Sequence, residues 1–207
     1  MAIDDIFDEH EQSRRVQDWL RRNGAGLVGG VLLGLGVVYG WRWWQDRQVQ
    51  DQVQAADRYQ KAVDAVQARG AAAAGVVAAL PPGTYRTLAS LALSRAQADA
   101  GKTDEAIATL RGALPPQGPL RDVVDLRIAR LLLEGGKPDQ ALGAVRGDSA
   151  AAEELRGDVR VAQGRRDDAR EAYRKALARA EVGSPQRNLI ELKYIQVGGV
   201  PATPKTP

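Results

Sequence analysis

The 207-residue chain has no cysteine, one histidine, one phenylalanine and one methionine. The missing cysteine excludes disulfides and thiolate-held metals. A lone His10 between Glu9 and Glu11 has no histidine or cysteine partners for ligation, and it reads as a surface residue. No serine, aspartate or histidine stands in a recognisable nucleophile setting, so the sequence predicts no catalytic residue, no metal, no cofactor and no enzyme. The two Arg-Gly-Asp triplets, at 146–148 and 156–158, are satisfied by turn and helix roles. Aromatics make up 5%, too few for a sheet-rich protein. Alanine, plentiful after Val53, suits closely packed helix pairs instead. The net charge is +3 with a pI near 9.3. Basic and acidic residues are interleaved, however, without the basic block or aromatic stripe of a nucleic-acid binder.

Charge itself is absent between Asn23 and Trp41. Those residues would make a helix of about 28 Å, close to the ~30 Å of a bilayer's hydrocarbon layer. The run ends in Trp41, Trp43 and Trp44, an interfacial aromatic belt with Tyr39 nearby, and Arg42 and Arg47 can reach headgroups. Gly24, Gly26, Gly29, Gly30, Gly34, Gly36 and Gly40 would each weaken a helix in water by up to ~1 kcal/mol, which argues against a buried soluble helix. A cleaved signal peptide fits poorly too. The leader is long and carries Asp4, Asp5, Asp8, Glu9 and Glu11, and "WRWWQDRQ" offers no small-x-small cleavage site. The reading is an uncleaved signal anchor over 23–44. Arg14, Arg15, Arg21 and Arg22 before the run, against Arg42 and Arg47 after it, favour a cytoplasmic N-terminus and a translocated C-terminal part.

Gly26, Gly30 and Gly34 recur one helical turn apart, and Gly36 and Gly40 repeat the spacing. Such a stripe forms a helix-packing face for a second copy or another membrane protein. Residues 1–22, with Ile3, Ile6, Phe7, Val16, Trp19 and Leu20 at helical spacing, predict an amphipathic leader. A solvated tail is equally compatible with them.

After a helix continuing from Gln45 to Arg69 and a stop at Pro81-Pro82-Gly83, the chain repeats itself. "LSRAQADAGKTDEAIATLRGALPP", "IARLLLEGGKPDQALGAVRG" and "LRGDVRVAQGRRDDAREAYRKAL" each hold a helix, Gly-x-x-Asp and a second helix. The glycines are Gly101, Gly136 and Gly164, and Ala106, Ala141 and Ala169 follow five residues on. Asp104, Asp139 and Asp167 are placed to cap the second helices or to meet their positive ends. Leu110, Val145 and Tyr173 fill the space between neighbours, and each hairpin must stack on the next to bury its apolar face.

These blocks resemble tetratricopeptide repeats. A small residue (Ser94, Ala129, Gly157) lies seven before each turn glycine. The glycine separations, 35 and 28 residues, predict a shortened second helix in the middle block or a compressed connection after it. "SPQRNLIELKYIQV" predicts a closing helix with Leu189, Leu192, Ile195 and Tyr194 facing inward, and 198–207 a disordered Pro-rich tail. The fold class is therefore all-α: one N-terminal transmembrane helix, then a TPR-like α-solenoid over 45–197.

The order of "DEHEQSRRVQDWLRRNG", the Gly-rich run into "GWRWWQ" and "ELRGDVRVAQGRRDDAREAYRKAL" resembles the YfgM-like family. These are ancillary subunits of the bacterial Sec translocon with a TPR-like periplasmic domain. The resemblance implies a single-pass inner-membrane protein beside SecYEG, partnered by a membrane-anchored prolyl-isomerase-like chaperone. Its implied work is to help hand secreted chains to periplasmic chaperones. The inner faces of the first helices would then form a partner groove with Arg95, Asp99, Arg130, Glu134, Glu154 and Asp158. A self-associating envelope scaffold, a homo-oligomer without a translocon role, is the alternative.

Overall fold

A computed structural model describes the backbone of residues 4–200, and the side chains of 19–26 and 28–200. Most of the described residues are helical, and no strand occurs among them. The chain divides into two units, Met1–Ala55 and Ala56–Pro207.

The first helix, α1, runs without interruption over Asp4–Arg69. The seven glycines from Gly24 to Gly40 do not break it. The side chains of Ile6, Phe7 and Val16, and all of Ile3, lie outside the described residues, as do 201–207 of the expected tail. Trp19 and Leu20 are exposed. The apolar window of α1 is long enough to cross a membrane, and none of it is buried within the protein. Val28, Val31, Leu32, Leu33, Val37 and Val38 are all exposed. A soluble core helix would hide such residues.

In the second unit, Gly70–Ala73 forms a 3-10 turn, followed by α2 (Ala74–Ala78). Three hairpins follow: α3 (Thr84–Asp99) with α4 (Thr103–Arg111), α5 (Pro119–Glu134) with α6 (Pro138–Ala144), and α7 (Ala150–Ala162) with α8 (Arg166–Arg179). The last helix is α9 (Pro185–Gln196). With seven residues, α6 is a shortened second helix, one of the two outcomes that the 28-residue separation allows.

The three turns are built alike. Gly101, Gly136 and Gly164 have φ between 70° and 75°, a conformation that suits glycine. In each, the amide after the glycine donates to the carbonyl five residues back: Lys102 to Gln97, Lys137 to Leu132 and Arg165 to Arg160, at 2.8–2.9 Å. This closes the first helix of each pair and reverses the chain. The second helices start at Lys102, Lys137 and Arg165, whose side chains cannot cap. The turn carboxylates therefore do not cap; they lie in the first turns of the second helices, at the positive ends, the other of the two expected roles. Asp104 accepts from Lys137 Nζ at 2.8 Å, and Asp139 from Gln163 Nε2 at 2.7 Å. Each ties one hairpin's turn to the next. Asp167 pairs with Arg170 on its own helix.

The core forms four clusters along the stack. Ala62 and Val66 of α1 pack with Ala73, Val77, Ala89 and Leu93. Ala106, Leu110, Val124, Ile128, Leu131 and Ala141 join the first two hairpins. Val145, Ala152 and Leu155 join the second to the third. Ala169, Tyr173 and Ala176 receive Ile190 and Val197 of α9. The small positions Ser94 and Ala129 are fully buried.

A fourth turn ends α9. Gly198, with φ 84°, donates to Ile195, and Gly199 donates to Tyr194, both at 2.9 Å. Gly198 follows Gly164 by 34 residues, the tetratricopeptide period. The closing helix is thus the first helix of a fourth repeat. The expectation about its inward face is corrected. Ile190 and Val197 are buried and Tyr194 is half-buried, whereas Leu189, Leu192 and Ile195 face out. The reason is electrostatic and lies on α7, as the next subsection describes.

Candidate functional site

In the apolar part of α1, a side chain built at any of Gly26, Gly30, Gly34, Gly36 or Gly40 would meet nothing within 4 Å. Gly26 and Gly30, with Trp19, Asn23 and Val31, line a shallow groove along the helix. At the end of the run, Trp41 and Trp44 lie with ring centroids 5.5 Å apart, and the Arg47 guanidinium sits 4.4 Å over the Trp43 ring. The aromatic belt is thus held together by stacking and a cation–π contact. Arg42 is exposed beside it.

On the repeats, Arg95, Asp99, Arg130 and Glu134 are exposed at the C-terminal halves of α3 and α5. Arg95 and Asp99 are 3.9 Å apart, a loose surface pair worth little in stability. This leaves their charges open to a partner.

Glu154 and Asp158 are placed differently. Lys193 of α9 reaches Glu154 Oε1 at 2.7 Å and Asp158 Oδ2 at 2.8 Å. The Tyr173 hydroxyl donates to Asp158 Oδ1 at 2.7 Å, and Gln186 Nε2 donates to Glu154 at 3.4 Å. Glu154 is only 6% exposed. The two carboxylates are therefore engaged within the protein. Together they fix α9 with Lys193 inward, which turns the Leu189–Leu192–Ile195 side outward. Arg187 pins the start of the same helix by donating to the Leu177 and Ala180 carbonyls at 2.7 and 3.2 Å.

Burial disfavours the Lys193 charge, but its hydrogen bonds to Asp158 and Glu154 outweigh this and hold the ammonium above the ordinary lysine value of 10.5. Burial, then the Asp158 contact, pushes the Tyr173 phenol well above 10.0. Both folded values lie above the unfolded ones, so their stabilisation is complete below about pH 10 and is lost as pH rises through the folded values. Alkaline unfolding of the chain in detergent should therefore be steeper than that of a Lys193→Met variant. Melting temperatures measured from pH 8 to 12 check this; parallel curves would refute it.

A separate cleft of about 440 Å³ opens between the turn before α3 and the α4–α5 loop, lined by Pro82, Arg86, Leu114, Pro115, Pro116 and Leu120 among others. Thr87, whose hydroxyl donates to the Ala113 carbonyl at 2.8 Å, fixes the loop. So does Arg121, which bridges Asp125 and the Pro115 carbonyl. No local pattern in the sequence marks this cleft, because its walls come from two loops some 30 residues apart.

Stacked hairpins, each closed by the same recurring turn, define a helical-repeat protein. The chain belongs to the tetratricopeptide repeat-like domain family, whose profile matches residues 17–199. It is 36% identical over 110 residues to the ancillary SecYEG translocon subunit of Escherichia coli (strain K12), covering 52% of this chain and 53% of that one. It is 31% identical over 61 residues to the protein of the same name from Haemophilus influenzae (strain ATCC 51907 / DSM 11121 / KW20 / Rd), covering 30% of each. The matched stretch thus spans about half the length of the first relative and less of the second. The YfgM-like resemblance seen in the sequence agrees with these relatives. No solved structure matches the chain significantly.

Proposed function

We propose that this chain is a single-pass inner-membrane adaptor beside the SecYEG translocon. Residues 23–44 form the uncleaved anchor, 1–22 the cytoplasmic leader and 45–197 the periplasmic repeat unit. The repeats bind proteins rather than catalyse. They help pass secreted chains to periplasmic chaperones, in concert with a membrane-anchored prolyl-isomerase-like chaperone. The observation that carries this reading is one chain combining a long uncovered apolar helix with tetratricopeptide hairpins, and about half of it matching a relative named for the translocon. The arginine excess before the anchor supports the orientation.

The glycine face, with Gly26, Gly30 and Gly34 open, would hold the anchor against a neighbouring membrane helix. Arg95, Arg130 and Glu134 supply the exposed charge of the groove. The test is in-membrane crosslinking from photoreactive residues at Gly30 and Arg130, followed by recovery of SecYEG after Arg95→Glu and Arg130→Glu. Translocon adducts from both positions, and several-fold lower recovery for the charge-reversed chain, are expected. Unchanged recovery removes the groove from the reading, and absence of any translocon adduct removes the reading itself.

A further inference from the structure

The open end of the stack carries an apolar stripe that nothing so far accounts for. Leu189, Leu192 and Ile195 are 48%, 60% and 49% exposed on the outer side of α9. The terminal helix of a repeat array ordinarily presents a polar outer face, so an apolar one marks a surface to be covered. Because α9 is the first helix of a fourth repeat, its own second helix is missing among the described residues. At the position where the earlier repeats hold Ser94, Ala129 and Gly157, this repeat has Glu191. Glutamate there is not the small residue against which the earlier repeats seat their second helices.

The residues around Leu192 identify the occupant. Asn188-Leu189-Ile190-Glu191-Leu192-Lys193-Tyr194-Ile195-Gln196 reads as a chemical palindrome about Leu192. Asn188 mirrors Gln196, and Leu189 mirrors Ile195. All four are exposed, and helical spacing places them on the same side as Leu192. An antiparallel helix pair with its two-fold axis at Leu192 therefore sets amide against amide and aliphatic against aliphatic. This is what an isologous interface requires.

We infer that the Leu189–Leu192–Ile195 face of α9 is a self-association surface, on which a second copy of this chain packs its own α9 antiparallel about Leu192. Three half-exposed side chains on a 12-residue helix fall short of the ~1,000 Å² of a stable interface. The contact is weak in dilute solution and depends on the local concentration that tethering to one membrane gives. This surface rests on the membrane anchor of the proposed function, but it is separate from the groove and the glycine face and so does not depend on the translocon contact.

The chain contains no cysteine, which makes the test direct. Full-length chains carrying Leu192→Cys, in native membranes under mild oxidation, should form a disulfide-linked dimer. A Val123→Cys control, exposed on α5, should not. The antiparallel register has its own signature. Six residues separate 189 from 195, about 9 Å of helix, so Leu189→Cys alone should link poorly, whereas Leu189→Cys mixed with Ile195→Cys should link well. Matching melting temperatures confirm that the variants fold. The proposal is overturned if Leu192→Cys gives no more dimer than Val123→Cys, or if it joins only to a different polypeptide. Equal linking of Leu189→Cys alone would overturn the antiparallel arrangement. Translocon adducts from Arg130 report separately on the adaptor reading.

Discussion

Gly157→Leu is expected to lower the melting temperature of the full chain in detergent by about 10 °C or more. Gly157 lies where α7 and α8 approach most closely. A Cβ built on it would overlap the Tyr173 ring, with Cζ at 2.8 Å and two further ring atoms nearer still. The ring cannot yield. It is 2% exposed, packed among Ala169, Ala176 and Ile190, and held through its hydroxyl by Asp158. Overpacking of this kind costs about 1–3 kcal/mol per modest insertion and more for a whole isobutyl group. The better helix propensity of leucine returns less than ~1 kcal/mol. At roughly 2–4 °C per kcal/mol for a chain of this size, the net loss is large. The ring is the obstacle, so Gly157→Leu combined with Tyr173→Ala should recover part of the deficit by exchanging the large and small partners. Circular-dichroism melts of the three variants check this. A Gly157→Leu chain that melts like the parent would mean that the helices are not this close.

Gly157 was legible from the sequence because its role is local and periodic. It sits a fixed seven residues before a glycine that must take positive φ, as do Ser94 and Ala129. The same logic located the turns at Gly101, Gly136 and Gly164 and the helix ending at Arg69. It should also have found the fourth turn at Gly198. The apolar residues of the last helix, however, form two stripes. Leu189, Leu192 and Ile195 look as good a core face as Ile190, Tyr194 and Val197. The choice between them is made by Glu154 and Asp158, which lie 39 and 35 residues before Lys193. No window of local sequence shows that pairing. The turn aspartates are ambiguous for a similar reason. Their spacing allows caps or first-turn positions, and the structure takes the second: the residues just before the second helices are lysine and arginine, and the carboxylates sit in the first turns with partners on the neighbouring turn or along their own helix. Of the six groove residues, the four on α3 and α5 remain open, while the two on α7 are engaged by a helix that the pattern of the third block alone could not place.

That engagement gives the second large effect. Lys193→Glu is expected to detach the C-terminal half of α9. The substitution removes the ammonium from between Glu154 and Asp158 and puts a third carboxylate in its place. Glu154 is almost wholly buried, and stripping one partner from a buried pair costs about 3–5 kcal/mol because the charge left behind has no solvent. Partial exposure of the Lys193 and Asp158 side chains, 24% and 27%, places the cost toward the lower end. Arg187 still binds the Leu177 and Ala180 carbonyls, so the start of α9 should stay docked while Lys193 to Val197 lift away. Hydrogen exchange should then show lost protection at the end of α9 and at Tyr173, with α3 to α6 unchanged. The charge explanation makes a further demand. If the cost is an orphaned charge rather than lost packing, Lys193→Met alone should destabilise. Lys193→Met with Glu154→Gln and Asp158→Asn should then return most of the stability, because no charge is left to solvate. A triple variant no more stable than Lys193→Met would show instead that packing of the lysine stem, rather than its charge, holds the helix in place.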